Sequence, residues 1–122
     1  MAVVLAYGFA GVDLDWEFPV EGGEPGVKHR PEDADNYLLL IRELRERLRV
    51  QEGKDGRPYL LTVAASAAAD TVTARFRFPE LSDQVDWVNV MAYNFAGPWL
   101  PETGHQAALY DRPGAPPPAF SV

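Results

Sequence analysis

Three acidic residues at alternate positions, Asp13, Asp15 and Glu17, have the types and spacing most typical of a chemical site in this sequence. An extended strand turns alternate side chains to one face, which places successive acids of this set about 6.6 Å apart along the strand. Carboxylates so close do not all ionise readily, so at least one is expected to hold a proton near neutral pH. A protonated carboxyl group is what general acid catalysis requires, and paired carboxylates are the usual catalytic groups for cleaving glycosidic bonds.

Two other interpretations of these acids are the solvated face of an antiparallel strand and a site for a divalent metal. Two observations argue against a solvated antiparallel strand. The residues that alternate with the acids are apolar, and the next predicted strand follows only about forty residues later, beyond a helix. Neither His29 nor His105 has a spacing that joins it to the acids as a metal ligand. We therefore predict no metal and no cofactor.

Composition sets the class of protein. The chain has 122 residues, of which 47% are hydrophobic and 24% charged, and this suits one small globular domain. A net charge of -7 disfavours nucleic acid as a partner. The arginines between positions 42 and 49 alternate with Glu43 and Glu46, which indicates a solvated helix face with local ion pairs. No cysteine is present, so disulfides and thiol catalysis are excluded.

The periodicity predicts three helices and three strands. Residues 2–7 read as the end of a helix with Gly8 as its stop, and residues 33–49 read as a helix that Gly53 ends. Residues 59–65 and 86–93 are short apolar runs typical of strands buried on both faces of a parallel sheet. The segment 70–85 has room for a crossover helix. Residues 1–10 lack the basic residues of a signal peptide, and no run is long enough to span a membrane.

This alternation of strands and helices predicts a parallel sheet with right-handed crossovers. A doubly wound sheet and an eight-stranded barrel both fit the pattern.

Two motifs resemble one family. Residues 11–19, with their acid alternation and following Phe-Pro, are similar to the signature Asp-x-x-Asp-x-Asp-x-Glu of glycoside hydrolase family 18, the chitinases. Residues 91–99, Met-Ala-Tyr-Asn-Phe-Ala-Gly-Pro-Trp, resemble the Met-x-Tyr-Asp segment of the same family and its following aromatic residue. The resemblance implies that residues 7–19 are the fourth barrel strand and its lead-in, that residues 59–65 are the fifth strand, and that residues 88–99 are the sixth.

The resemblance also implies roles for the acids. Glu17 would protonate the leaving glycosidic oxygen, and Asp15 would orient the N-acetyl group of the substrate. The acetamido oxygen would then attack the anomeric carbon, which makes the reaction substrate-assisted and retaining. Asp13 would exchange a hydrogen bond with Asp15 and help to set its charge.

The second motif supplies substrate contacts by the same resemblance. Tyr93 would donate a hydrogen bond to the acetamido oxygen, Met91 would form the floor of the pocket, and Trp99 would stack against a sugar. Core packing is the alternative interpretation for Met91 and Trp99 taken alone.

The sequence departs from the family pattern at three positions. Ala10 replaces the first Asp of the signature, Phe18 replaces a frequent Tyr, and Asn94 replaces a common Asp. An ionised Asp beside Glu17 would raise the pKa of that acid by like-charge repulsion, so we expect a neutral Asn94 to move the alkaline limb of activity to lower pH.

The extent of the resemblance predicts a fragment of a (β/α)8 TIM barrel with about three of its parallel strands. We expect one partial catalytic domain over residues 1–122, in which the proline-rich residues 112–122 form a loop. The predicted function is hydrolysis of β-1,4 N-acetylglucosamine linkages in chitin, with chitin or its oligosaccharides as the only partner and an extracellular location. A chitin-binding lectin-like relative, an inactive truncated product and a different acid-bearing α/β enzyme are the alternatives.

Overall fold

The computed structural model describes residues 1–67, 76–111, 113–114 and 121. The elements follow one another as helix α1 (Ala2–Tyr7), strand β1 (Gly11–Leu14), helix α2 (Asp33–Asp55), strand β2 (Leu60–Ser66), helix α3 (Phe78–Ser82) and strand β3 (Trp87–Met91). The proline-rich segment predicted as a loop lies mostly outside the described residues, as do residues 70–75 of the predicted crossover.

The three strands form one parallel sheet in the order β1-β2-β3, as predicted. Asp13 pairs with Thr62, and Thr62 pairs with Trp87, so these residues form one row across the sheet. Because paired residues of parallel strands point to the same face, the row fixes which side chains share the acidic face of the sheet.

Strand β1 is shorter than the sequence predicts, because its pairing ends at Leu14. The alternation of side chains nevertheless continues: Asp13, Asp15 and Glu17 are exposed, whereas Leu14 and Trp16 are partly buried against the core. The Trp16 ring meets the Tyr37 ring of α2 edge-on, with 5.6 Å between the ring centroids. Contact with α2 therefore keeps the alternation in place beyond the last strand pairing.

Helix α2 is longer than predicted, since Gly53 lies inside it and Gly56 ends it. Gly56 adopts a left-handed conformation with φ of 66°, and its N–H donates to the Glu52 carbonyl at 2.9 Å. A helical glycine costs only about 1 kcal/mol relative to alanine. The hydrogen bond from Gln51 to Asp55, which spans Gly53, helps to carry the helix past it. The stop predicted at Gly8 is confirmed, with φ of 67°.

The core lies between the sheet and helices α2 and α3. Its fully buried members include Ile41 and Leu48 from α2, Leu61 and Val63 from β2, and Leu81 from α3. Burial on both faces is confirmed for β2, where five successive residues are buried. The prediction of burial on both faces is wrong for β3, which is an edge strand in the described sheet and has three of its five residues exposed.

One arginine of α2 differs from the predicted solvated face. Arg47 does pair with Glu43 at an exposed position, but Arg45 is only 8% exposed. Its guanidinium donates to the Gln84 carbonyl at 2.7 Å and to Asp86 Oδ2 at 2.6 Å. Asp86 Oδ2 also accepts the Leu61 N–H at 2.7 Å. Arg45 therefore links α2 to the amino-terminal ends of β2 and β3. These ends lie opposite the carboxyl ends of the strands.

Candidate active site

The candidate site lies at the carboxyl ends of the three strands. Strand β1 ends at Leu14 and β3 ends at Met91, so Asp15 and Glu17 follow one strand while Tyr93 follows the other. The carboxyl ends of parallel strands lie at the same end of the sheet, which is where α/β folds place their ligands. Adjacent strands lie about 4.8 Å apart, which puts the ends of β1 and β3 within roughly 10 Å of each other.

Asp13 is held by residues from both other strands. Its Oδ1 atom accepts a hydrogen bond from the Thr62 hydroxyl on β2 and another from Asn89 Nδ2 on β3, the latter at 3.1 Å. Sequence reasoning missed Thr62 and Asn89, because they lie 49 and 76 residues from Asp13. Only the register of the strands reveals that they face the same acid.

Glu17 and Asp15 interact beyond the end of β1. The pKa of Glu17 is raised above its ordinary value, first by partial burial and then by the charge of Asp15 and a hydrogen bond with it. The charge of Glu24, on the loop that follows, raises the pKa further. Burial and like charges both disfavour the ionised form, and all four effects act in the direction that a general acid requires.

A tight turn packs against the backbone of Glu17. Gly23 has φ of 79°, and a Cβ atom placed on it would lie only 1.9 Å from the Glu17 carbonyl oxygen. The same atom would lie 3.2 Å from the Phe18 nitrogen, across a Glu17–Phe18 peptide bond that is cis. Only glycine fits this position, because both the contact and the positive φ exclude a side chain.

The motif after β3 forms a loop that Gln106 holds in place. Asn94 Oδ1 accepts a hydrogen bond from Gln106 Nε2 at 3.0 Å, and the Phe95 N–H donates to the Gln106 carbonyl at 2.8 Å. Asn94 adopts φ of 60°, a left-handed conformation that asparagine tolerates better than most residues. Gln106 is a third residue that sequence reasoning missed, after Thr62 and Asn89.

The other predicted contacts of this motif are near the surface. Tyr93 is 52% exposed and Trp99 is 61% exposed, whereas Met91 is half-buried at the end of β3. The Trp99 ring packs over Gly97, where an added Cβ would lie 2.3 Å from Cη2 of the ring. Within residues 1–67 and 76–111 no hydrogen bond joins Tyr93 to Asp15 or Glu17, although all three follow strands at the same end of the sheet.

Tyr37 lies beneath the acids. Its ring is 1% exposed, and its hydroxyl has no hydrogen-bond partner among the described residues. Burial raises the pKa of this phenol strongly, and the charges of Asp13 and Asp15 raise it further. The phenol is therefore neutral and adds no negative charge beside the acids.

The described residues contain no group of three or more His, Cys, Asp or Glu side chains arranged to hold a metal ion. Among those same residues, no helix is long and apolar enough to cross a membrane.

Comparison with known proteins places this site in a family. The sequence matches the family described as Glycosyl hydrolases family 18 over residues 1–122, which is the whole chain. The chain belongs to glycoside hydrolase family 18. The predicted resemblance to this family is thereby confirmed, and the lineage of the chain is that of the chitinases.

Individual relatives agree with this assignment. The chain is 46% identical over 109 residues to Chitinase A1 of Niallia circulans, a match that covers 89% of the chain and 16% of that protein. It superposes on Chitinase ChiA74 from Bacillus thuringiensis with a TM-score of 0.88 at 42% identity, covering 94% of the chain and 18% of that structure. A Group IV chitinase of Ostrinia furnacalis in complex with allosamidin gives a TM-score of 0.79 at 34% identity, covering 94% of the chain and 28% of that structure.

The chain therefore spans less than a third of each of these relatives. Its three parallel strands with their helices are a fragment of a (β/α)8 barrel, as predicted. Of the two folds that the strand and helix order allows, the barrel is the correct one.

Proposed function

We propose that this chain carries the acid and the N-acetyl-binding residues of a chitinase that hydrolyses β-1,4 N-acetylglucosamine linkages. The observation that carries the proposal is the position of Glu17 and Asp15, which follow β1 at the carboxyl ends of the strands and both belong to the family signature. The neighbouring charge of Asp15 helps to raise the pKa of Glu17, which is the direction that a general acid requires.

In this mechanism Glu17 donates its proton to the glycosidic oxygen as the bond to the anomeric carbon breaks. Asp15 holds the substrate acetamido group, whose oxygen attacks the anomeric carbon and forms an oxazolinium ring. Glu17, now ionised, then accepts a proton from the water that opens this ring. The substrate supplies the nucleophile, so the two displacements at carbon retain its configuration.

Residues from β3 and the loop after it complete the proposal. Tyr93, exposed at the same edge as the acids, donates a hydrogen bond to the acetamido oxygen. Met91 supports the N-acetyl group from below, Trp99 offers a ring face to a sugar, and Asn94 contacts substrate from the left-handed turn that Gln106 holds. The partner is chitin or a chito-oligosaccharide, met outside the cell, and the reaction uses no metal or other cofactor.

A chimera provides a direct test of these roles. Residues 1–122 replace the matching segment of the Niallia relative, and the chimera and the 122-residue chain are both assayed with chitotetraose. We expect the chimera to hydrolyse the substrate and to release products of retained anomeric configuration, as read by proton NMR immediately after cleavage. The isolated chain is expected to be far less active, because three strands do not enclose a sugar-binding cleft.

Two substitutions in the chimera separate the acid from its partner. Glu17→Gln preserves shape but removes the proton donor, and general acid catalysis is worth about 10²–10⁴-fold in rate. Asp15→Asn is expected to reduce turnover while the protein still binds the oligosaccharide. Turnover by Glu17→Gln equal to that of the parent would reject the assignment of the acid. Oligosaccharide binding without hydrolysis by the unsubstituted chimera would favour the lectin-like alternative.

A further inference from the structure

A chain of hydrogen bonds crosses the acidic face of the sheet and joins all three strands. Trp87 Nε1 donates to Asn89 Oδ1 at 3.0 Å, and Asn89 Nδ2 donates to Asp13 Oδ1 at 3.1 Å. The Thr62 hydroxyl donates to the same oxygen of Asp13. We refer to these four residues, Asp13, Thr62, Trp87 and Asn89, as the inner-face network.

The chemistry of the indole fixes the direction of this network. An indole N–H is a donor only, so the side-chain oxygen of Asn89 must face Trp87. The amide nitrogen of Asn89 then faces Asp13, where it donates to the carboxylate. The reverse orientation would bring N–H groups together at Trp87 and place an amide oxygen against a carboxylate oxygen at Asp13. Asn89 therefore has one satisfied orientation in this site.

The two donors to Asp13 meet on one oxygen. Thr62 donates from the adjacent strand β2 and Asn89 from β3 beyond it, and two donors on one oxygen restrict the rotation of the carboxylate. The charge of Asp13 also acts on the phenol of Tyr37 from α2, whose pKa burial and the charges of Asp13 and Asp15 raise.

We propose that Asn89, oriented by Trp87, and Thr62 are positioning residues that hold the Asp13 carboxylate in one orientation at the base of the acid triplet. The proposal rests on the proposed function, because the orientation of Asp13 affects turnover only if Asp15 and Glu17 perform the chemistry. It extends the site beyond the acid signature, whose residues all come from one strand segment, to two further strands.

Side-chain amide NMR of the 15N-labelled 122-residue chain tests the network. The chain has only three asparagines, at positions 36, 89 and 94, so their amide groups are readily assigned by substitution. We expect the Asn89 amide protons to shift in one step as pH changes the ionisation of Asp13. That step is expected to be lost in Asp13→Asn and kept in Glu17→Gln. Asn94, whose oxygen accepts from Gln106, is the internal control, because any pH response of its amide is expected to be the same in Asp13→Asn as in the parent.

Conservative variants distinguish positioning from general stability. Trp87→Phe removes only the indole donor, and Thr62→Val removes only the hydroxyl, so each is expected to reduce the Asn89 step at least twofold. Thr62→Ser restores the donor and is expected to restore the step. A purely structural role would change the free energy of unfolding in these variants but leave the step at its parental size.

The proposal is overturned by an Asn89 amide that does not respond to pH, by a step that survives in Asp13→Asn, or by parental steps in both Trp87→Phe and Thr62→Val. Because the readout is spectroscopic, it is independent of hydrolysis. If the chain shows the expected amide steps but the chimera does not hydrolyse chitotetraose, the result contradicts the proposed function and leaves the positioning of Asp13 supported.

Discussion

Substitution of Gly23 by alanine tests whether the turn after β1 positions the general acid. The added methyl group would lie 1.9 Å from the Glu17 carbonyl oxygen, so the two must separate by about 1.1 Å before the contact reaches even 3.0 Å. The neighbouring contact is with backbone, which cannot turn aside as a flexible side chain does. The backbone of Glu17 or the turn itself must therefore move.

The size of the effect follows from that displacement. A misplacement of about 1 Å in a catalytic group can lower the rate by about 10²-fold. The left-handed backbone adds a separate cost of about 1–2 kcal/mol in stability for any residue other than glycine. We expect Gly23→Ala to reduce kcat of the chimera with chitotetraose by about 10²-fold and to change KM much less, because the sugar-binding side chains stay in place.

Gly26 provides a matched control in the same loop. Its φ is 98°, so alanine there meets a comparable backbone penalty, but nothing lies within 4 Å of the added Cβ. Gly26→Ala is therefore expected to lose stability, measured by urea unfolding, while kcat stays within a few-fold of the parent. Equal kcat values for the two variants would refute the argument that contact with Glu17, rather than backbone strain, makes Gly23 necessary.

Three further predictions concern charge and packing. Asn94→Asp keeps the acceptor for Gln106 but adds a negative charge that raises the pKa of Glu17. The alkaline limb of the chimera's pH–rate profile should therefore move to higher pH, and a limb that stays in place or moves to lower pH rejects this prediction. Arg45→Leu should lower the free energy of unfolding of the chain by about 1–3 kcal/mol, because the Gln84 carbonyl loses its donor while Asp86, which is more exposed, keeps the Leu61 N–H; a loss below about 0.5 kcal/mol in urea unfolding contradicts this role of Arg45. Tyr37→Phe should leave the free energy of unfolding unchanged or raise it by about 1 kcal/mol, since the hydroxyl it removes is buried without a partner among the described residues. A clear decrease in that free energy, measured by urea unfolding, would show that the hydroxyl is hydrogen-bonded.

Local signals explain what the sequence predicts well. The acid alternation, the apolar stripe of α2 and the stop at Gly8 each depend on residues a few positions apart, and all three are present in the structure. The end of β1 at Leu14 was not predictable in this way. It depends on where β2 stops pairing with it, and the alternating pattern itself continues to Glu17.

Arg45 shows why charge patterns on helices are ambiguous. In sequence it is one of four arginines between glutamates, and all four suggest the same solvated face. In the structure it alone turns toward the ends of β2 and β3, where the Gln84 carbonyl and Asp86 accept its hydrogen bonds. Its partners lie 39 and 41 residues away, so no window on the helix contains the information that separates it from Arg47.

Strand register is the physical link between the acidic motif and the rest of the site. Thr62 and Asn89 reach Asp13 only because β1, β2 and β3 pair in the observed register. A slip of one residue would turn Asn89 to the opposite face of the sheet and remove its hydrogen bond to Asp13. Apolar packing opposes such a slip, because it would move Val88 of β3 from its place against the core beside Val63 of the central strand to the acidic face. The apolar packing of the central strand thus determines which polar side chains meet the acids, and the chemistry of the triplet depends on residues that its own sequence motif does not contain.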